Sequence, residues 1–171
     1  MTDPMATALD SDRAAWAGKA PVRIRTARPE DADAIGMLVA QLNAERSRTR
    51  YHADALVPRA DEVGDGNGTG RKVVAVTPSS SGDRVVGLAS WVPGEGDTGQ
   101  AMLAVAEGWR LTDIGQRLLA EVGHRAMMQG VRSFVAEIVP RNAALRAAAR
   151  ALGLPEHRSG VSVQIDVSRL A

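Results

Sequence analysis

Between Gln100 and Gly130 the hydrophobic period changes from that of a strand to that of a helix. Met102 to Ala106 is an unbroken apolar run, which suits a strand buried on both faces. From there Ile114, Leu118, Leu119, Val122 and Ala126 recur at helical spacing, and Gly130 stands where a helix would stop. A strand that turns tightly into a helix aims the first N–H groups of that helix, and the positive end of its dipole, off the end of the strand. Such a corner is a natural seat for a phosphate. The same residues also read as a plain capped turn, with Asp113-x-x-Gln116 as a capping box and Thr112 as an N-cap.

The remaining elements place this corner in a larger order. Val22 to Thr26 alternates apolar and polar residues and predicts a half-buried strand. Pro29 before Glu30 and Asp31 opens a helix to Leu42, whose apolar residues are Ile35, Leu38, Val39 and Leu42. The polar stretch from Asn43 to Pro58 predicts a second short helix, and the glycine-rich stretch from Asp61 to Gly70 a loop. Lys72 to Thr77 and Arg84 to Val92 read as two strands joined by a hairpin loop over Pro78 to Asp83, with Gln100 to Ala106 the third. Ser133 to Val139 is the next strand, Ala143 to Leu152 a helix closed by Gly153, and Val161 to Val167 a last antiparallel strand. Strands Gln100–Ala106 and Ser133–Val139 should run parallel, since a helix joins them. Met1 to Pro21 reads as a tail in which Trp16 is the one large apolar residue able to dock, so the domain runs from residue 22 to residue 171.

Composition narrows the function classes. With 21 basic and 20 acidic residues the net charge is +1, which exerts no general pull on nucleic acid or an anionic membrane. There is no cysteine, so disulfides, thiolate metal sites and a cysteine nucleophile are excluded. His52, His124 and His157 are far apart in sequence and form no His-x-x-x-His pair, so no metal is expected. No apolar run has the length of a membrane-crossing helix, and the first twenty residues lack the apolar core of a signal peptide. The expected setting is the cytoplasm.

Trp109-Arg110-x-x-x-Ile114-Gly115-x-x-Leu118-Leu119 after an apolar strand resembles the acyl-CoA-binding core of the GNAT acetyltransferase superfamily. That family carries Gln/Arg-x-x-Gly-x-Gly/Ala in this turn. Arg110 and Gly115 match its ends, while Asp113 stands at the middle glycine. The opening strand, Arg-Pro-Glu-Asp and helix are also similar to how such domains begin, and Val135 to Asn142 is similar to a stretch of bacterial protein-lysine acetyltransferases. The resemblance spans about Val22 to Val167 and implies an α+β fold, layered α/β/α. Its central sheet would be mixed and mostly antiparallel, with about six to seven strands and four helices.

The resemblance further implies that acetyl-CoA lies along Leu103, Ala104 and Val105 and over Arg110, Leu111, Thr112, Asp113, Ile114, Gly115 and Gln116. It implies N-acetyl transfer to a primary amine, either a small amine or a protein lysine or N-terminus, by direct attack. A homodimer is implied by analogy alone. Amine acetylation needs a base for the incoming ammonium and a proton donor for the leaving thiolate. Glu107 and Glu137 are the candidate bases; each also reads as a solvated glutamate at a strand end. Asn142 matches the family's asparagine after the fifth strand, as a catalytic or CoA-binding residue, and equally reads as an N-cap. The family's usual thiolate donor is a tyrosine seven residues after that asparagine, and here Ala149 occupies the position. The contrary expectation is a catalytically impaired module of the same fold that binds CoA weakly or serves protein contacts.

Overall fold

Val73, Val74, Ala75 and Val76 are consecutive and all fully buried. Successive strand residues point to opposite faces, so the sheet must be covered on both sides at this point. The computed structural model, which describes residues 21–48, 71–109, 113–138 and 142–170, shows how. Its strands are β1 (Arg23–Thr26), β2 (Lys72–Ser79), β3 (Gly82–Pro93), β4 (Thr98–Val105), β5 (Ser133–Glu137), β6 (Glu156–Ser159) and β7 (Ser162–Asp166). Its α-helices are α1 (Ala32–Arg48), α2 (Ile114–Met127) and α3 (Ala143–Ala151). The sheet order is β1-β2-β3-β4-β5-β7-β6, antiparallel except for the parallel pair β4–β5.

Each face has its own core. On one, Ile35, Leu38 and Leu42 of α1 pack on Val74, Val76, Val85 and Leu88. On the other, Ile114, Leu118, Leu119 and Val122 of α2 and Leu145, Ala148 and Ala149 of α3 join Val73, Ala75, Val86, Phe134, Val163 and Ile165. Both α2 and α3 end alike. Gly130 and Gly153 take positive φ (88° and 67°), and the next residues, Val131 and Leu154, donate back to Ala126 O and Ala149 O at 3.0 and 2.9 Å. These are the closures that a glycine past a helix end permits.

A bulge decides how closely α2 sits. The β2–β3 register shifts between Ala75 and Val76, which face Gly87 and Val85, so Val86 is the extra residue. Val86 joins the α2 core, and Gly87 follows it under the same helix: a Cβ there would lie 2.7 Å from Leu118 Cδ1 and 3.3 Å from Ile114 Cγ2. An interior glycine in an apolar strand is the sequence signal of such an approach.

Several boundaries differ from expectation. The first helix opens with a 3-10 turn at Pro29–Asp31 and continues to Arg48, so the start of the polar stretch is helical. The hairpin between β2 and β3 is shorter, because Ser79 pairs with Gly82. Strand β5 ends at Glu137 rather than Val139. Strand β6 was not expected: Glu-His-Arg-Ser has no apolar alternation because it lies at the sheet edge, mostly exposed. Three α-helices stand among the described residues, against the four expected, and the second short helix, the glycine-rich loop and Trp16 fall in residues outside them.

Strand β1 is fastened by charge. Arg25 donates to both carboxylate oxygens of Asp31, at 2.6 and 2.9 Å, and Arg28 N donates to the same group at 2.7 Å. The hydrogen bond from Arg25 holds the Asp31 carboxyl below its ordinary pKa, against the opposing effect of burial. A depressed carboxylate pKa contributes stability that is fully present above the unfolded value, about 3.9, and is lost as pH falls through the folded value. Urea midpoints of the wild type should therefore fall more steeply under acid than those of Asp31→Asn, which should itself lose about 1–3 kcal/mol at neutral pH. Gly87→Val should cost about 1–3 kcal/mol in the same titration, because Leu118 is fully buried and cannot yield.

Candidate active site

Strands β4 and β5 pair only at Thr98↔Ser133 and Gly99↔Phe134, and then they part. Each keeps a full partner on its other side. Strand β4 pairs with β3 as far as Gly87↔Val105, and β5 pairs with β7 as far as Glu137↔Ser162. The result is a wedge-shaped gap that opens toward the carboxyl ends of the two parallel strands, where α/β sheets usually carry their ligands. Ala106 N bonds Val86 O at 2.9 Å, so even-numbered residues of β4 direct their backbone groups to β3. By alternation Ala101 and Leu103 direct theirs into the gap.

The head of α2 sits over this gap. Ile114 is buried, and a Cβ on Gly115 would lie 3.7 Å from Leu103 Cδ2, 3.8 Å from Val105 Cγ2 and 3.8 Å from Ala148 Cβ. Gly115 thus joins β4 to α3 across the neck of the gap. Asp113 is exposed at the N-cap and makes no side-chain bond to the helix, so the capping-box reading does not hold. Gln116 is half-buried in the first turn. Arg110, Leu111 and Thr112 lie outside the described residues.

The candidate bases stand on the two lips. Glu107 follows β4 in a 3-10 turn, Glu107–Trp109, whose Trp109 packs against both cores. Glu137 is the last residue of β5. Both are exposed, as the reading of each as a solvated glutamate at a strand end has it: β5 stops at Glu137, and water reaches it. Asn142 is at the N-cap of α3 but forms no cap with its side chain; Nδ2 donates to Glu137 O at 2.8 Å. Ala149, at the family's tyrosine position, is fully buried in the α2–α3 core. Sequence reasoning missed Ala148 at the neck and the Asn142–Glu137 link. Neither carries a local signal, because both depend on how α3 docks.

No protein-family model matches the sequence, and no curated protein matches it. Solved structures do. The GNAT domain of a protein called PAT from S. lividans is similar at 15% identity and TM-score 0.61, over 84% of this chain and 88% of that one. An acetyltransferase of the GNAT family from Staphylococcus aureus aligns at 11% identity and TM-score 0.64, over 86% and 99%. Diaminobutyrate acetyltransferase from Paenibacillus lautus, solved with L-2,4-diaminobutyric acid and coenzyme A, aligns at 18% identity and TM-score 0.61, over 86% and 96%. The chain has the GNAT acetyltransferase fold.

The neck geometry makes Gly115 separable from stability. A Cβ there meets only ordinary van der Waals distances. Gly115→Ala should leave the thermal midpoint unchanged or raise stability by up to about 1 kcal/mol, as checked by calorimetric melting.

Proposed function

We propose that the protein is an acetyl-CoA-dependent N-acetyltransferase that passes an acetyl group directly to a primary amine in a ternary complex. The observation that carries this reading is the parting of β4 and β5 beneath the head of α2. The parting leaves strand-like hydrogen-bonding groups on the β4 side, a shape suited to an extended amide-bearing arm. The head of α2 offers N–H groups and a positive dipole to a pyrophosphate. The solved neighbours support it, since the one from Paenibacillus lautus holds coenzyme A and a diamine acid.

In this reading the amine nitrogen attacks the thioester carbonyl carbon while the gap-side N–H of Leu103 polarises the carbonyl oxygen. The C–S bond then breaks, and the thiolate leaves with a proton. Glu107 or Glu137 takes the ammonium proton before attack, through water, since both lips are open to it. With Ala149 in the core, the proton for the thiolate comes from water.

A second reading draws on the same Ala149 and on Asp113: the fold is kept, turnover is lost, and CoA binds weakly. A carboxylate a few ångströms from a pyrophosphate repels it by about 1–4 kcal/mol, depending on the local dielectric. Calorimetric titration with acetyl-CoA and with CoA at two salt concentrations separates the readings. The enzyme reading expects micromolar binding that weakens with salt, followed by turnover with a primary amine. No binding at millimolar ligand overturns it. Asp113→Gly should tighten acetyl-CoA binding by about tenfold if the carboxylate faces the phosphates.

A further inference from the structure

One peptide unit at the end of β5 is held from both sides. The N–H of Ile138 donates to Val161 O at 2.7 Å, and the C=O of Glu137 accepts from Asn142 Nδ2 at 2.8 Å. Val161 lies between β6 and β7, and Asn142 stands at the head of α3. The Glu137–Ile138 peptide is therefore the point where β5, the β6–β7 hairpin and α3 meet.

The two bonds point in opposite directions. The N–H and C=O of one peptide leave a strand on opposite sides. Ile138 N–H points toward β7, so Glu137 C=O points toward the side on which β4 would lie. Strand β4 does not pair there, since its ladder with β5 stopped at Gly99↔Phe134. In place of a β4 N–H, the side-chain amide of Asn142 donates to this exposed acceptor. The same amide makes no bond to the first turn of α3, although Asn142 occupies the capping position.

We propose that Asn142 is a positioning residue, and not a group that binds the acyl donor or takes part in proton transfer. It occupies the hydrogen-bonding place that β4 gives up on β5, and so keeps the far lip of the gap, with Glu137 on it, in one position while the gap stays open. Its kinetic consequence rests on the acetyltransferase reading; its structural consequence does not.

The test uses the full chain with Asn142→Asp, which keeps the size and removes the donor, and Asn142→Gln, which keeps an amide. Residue-resolved hydrogen exchange should show the Ile138 amide exchanging about tenfold faster in Asn142→Asp, with partial recovery in Asn142→Gln. The kcat of Asn142→Asp should fall by about tenfold or more while the KM for acetyl-CoA stays within about threefold, because the phosphate seat is on the other lip. Should Asn142→Asp not fold, Asn142→Ala removes the donor without placing a charge against the carbonyl. Unchanged exchange at Ile138 overturns the proposal. So does a tenfold loss of acetyl-CoA affinity with kcat retained, which would make Asn142 a binding residue. If the wild type binds no acetyl-CoA, the enzyme reading fails by itself, and exchange at Ile138 still decides whether Asn142 holds the corner.

Discussion

The architecture turns on two strands that begin a parallel ladder and abandon it. Strands β4 and β5 share two residue pairs and then separate, each keeping a longer antiparallel ladder on its other side. Where a ladder is interrupted, its backbone groups turn to water or to other donors and acceptors. At the β5 end Asn142 and Val161 supply them. On the β4 side Ala101 and Leu103 turn their backbone groups into the opening.

Helix α2 holds the upper edge of that opening, and its height is set by an absent side chain. The bulge at Val86 turns two successive β3 residues toward α2, and the second is Gly87. Ile114 and Leu118 therefore sink onto the sheet, which brings Gly115 to the neck formed by Leu103, Val105 and Ala148. Packing deep in the core thus decides where the first-turn N–H groups of α2 are aimed.

Much of the fold was legible from residue order. The alternation in Val161 to Val167, the helical stripe from Ile114 to Ala126 and the stops at Gly130 and Gly153 are local patterns, and the structure has each of them. Edge strand β6 was not legible, since an exposed strand needs no apolar face. The end of β5 was not legible either. The alternation suggests a strand to Val139, but β5 stops at Glu137, and a strand's end is set by where its partners stop. Ala149 was legible as a missing tyrosine but not as a core residue, because which face of α3 turns inward depends on α2.

Within the described residues the sequence by itself determined the kinds of elements and their order, apart from edge strand β6. It also determined that β4 and β5 must run parallel, because a crossover helix separates them. These properties follow from periodicity and chain connectivity, which are local or topological. Only the tertiary structure decided that the parallel pair would part after Gly99 and that Asn142 would bond back to Glu137. The reason is physical. Where a ladder ends is a competition among strands distant in sequence, and no pattern within one strand records its outcome.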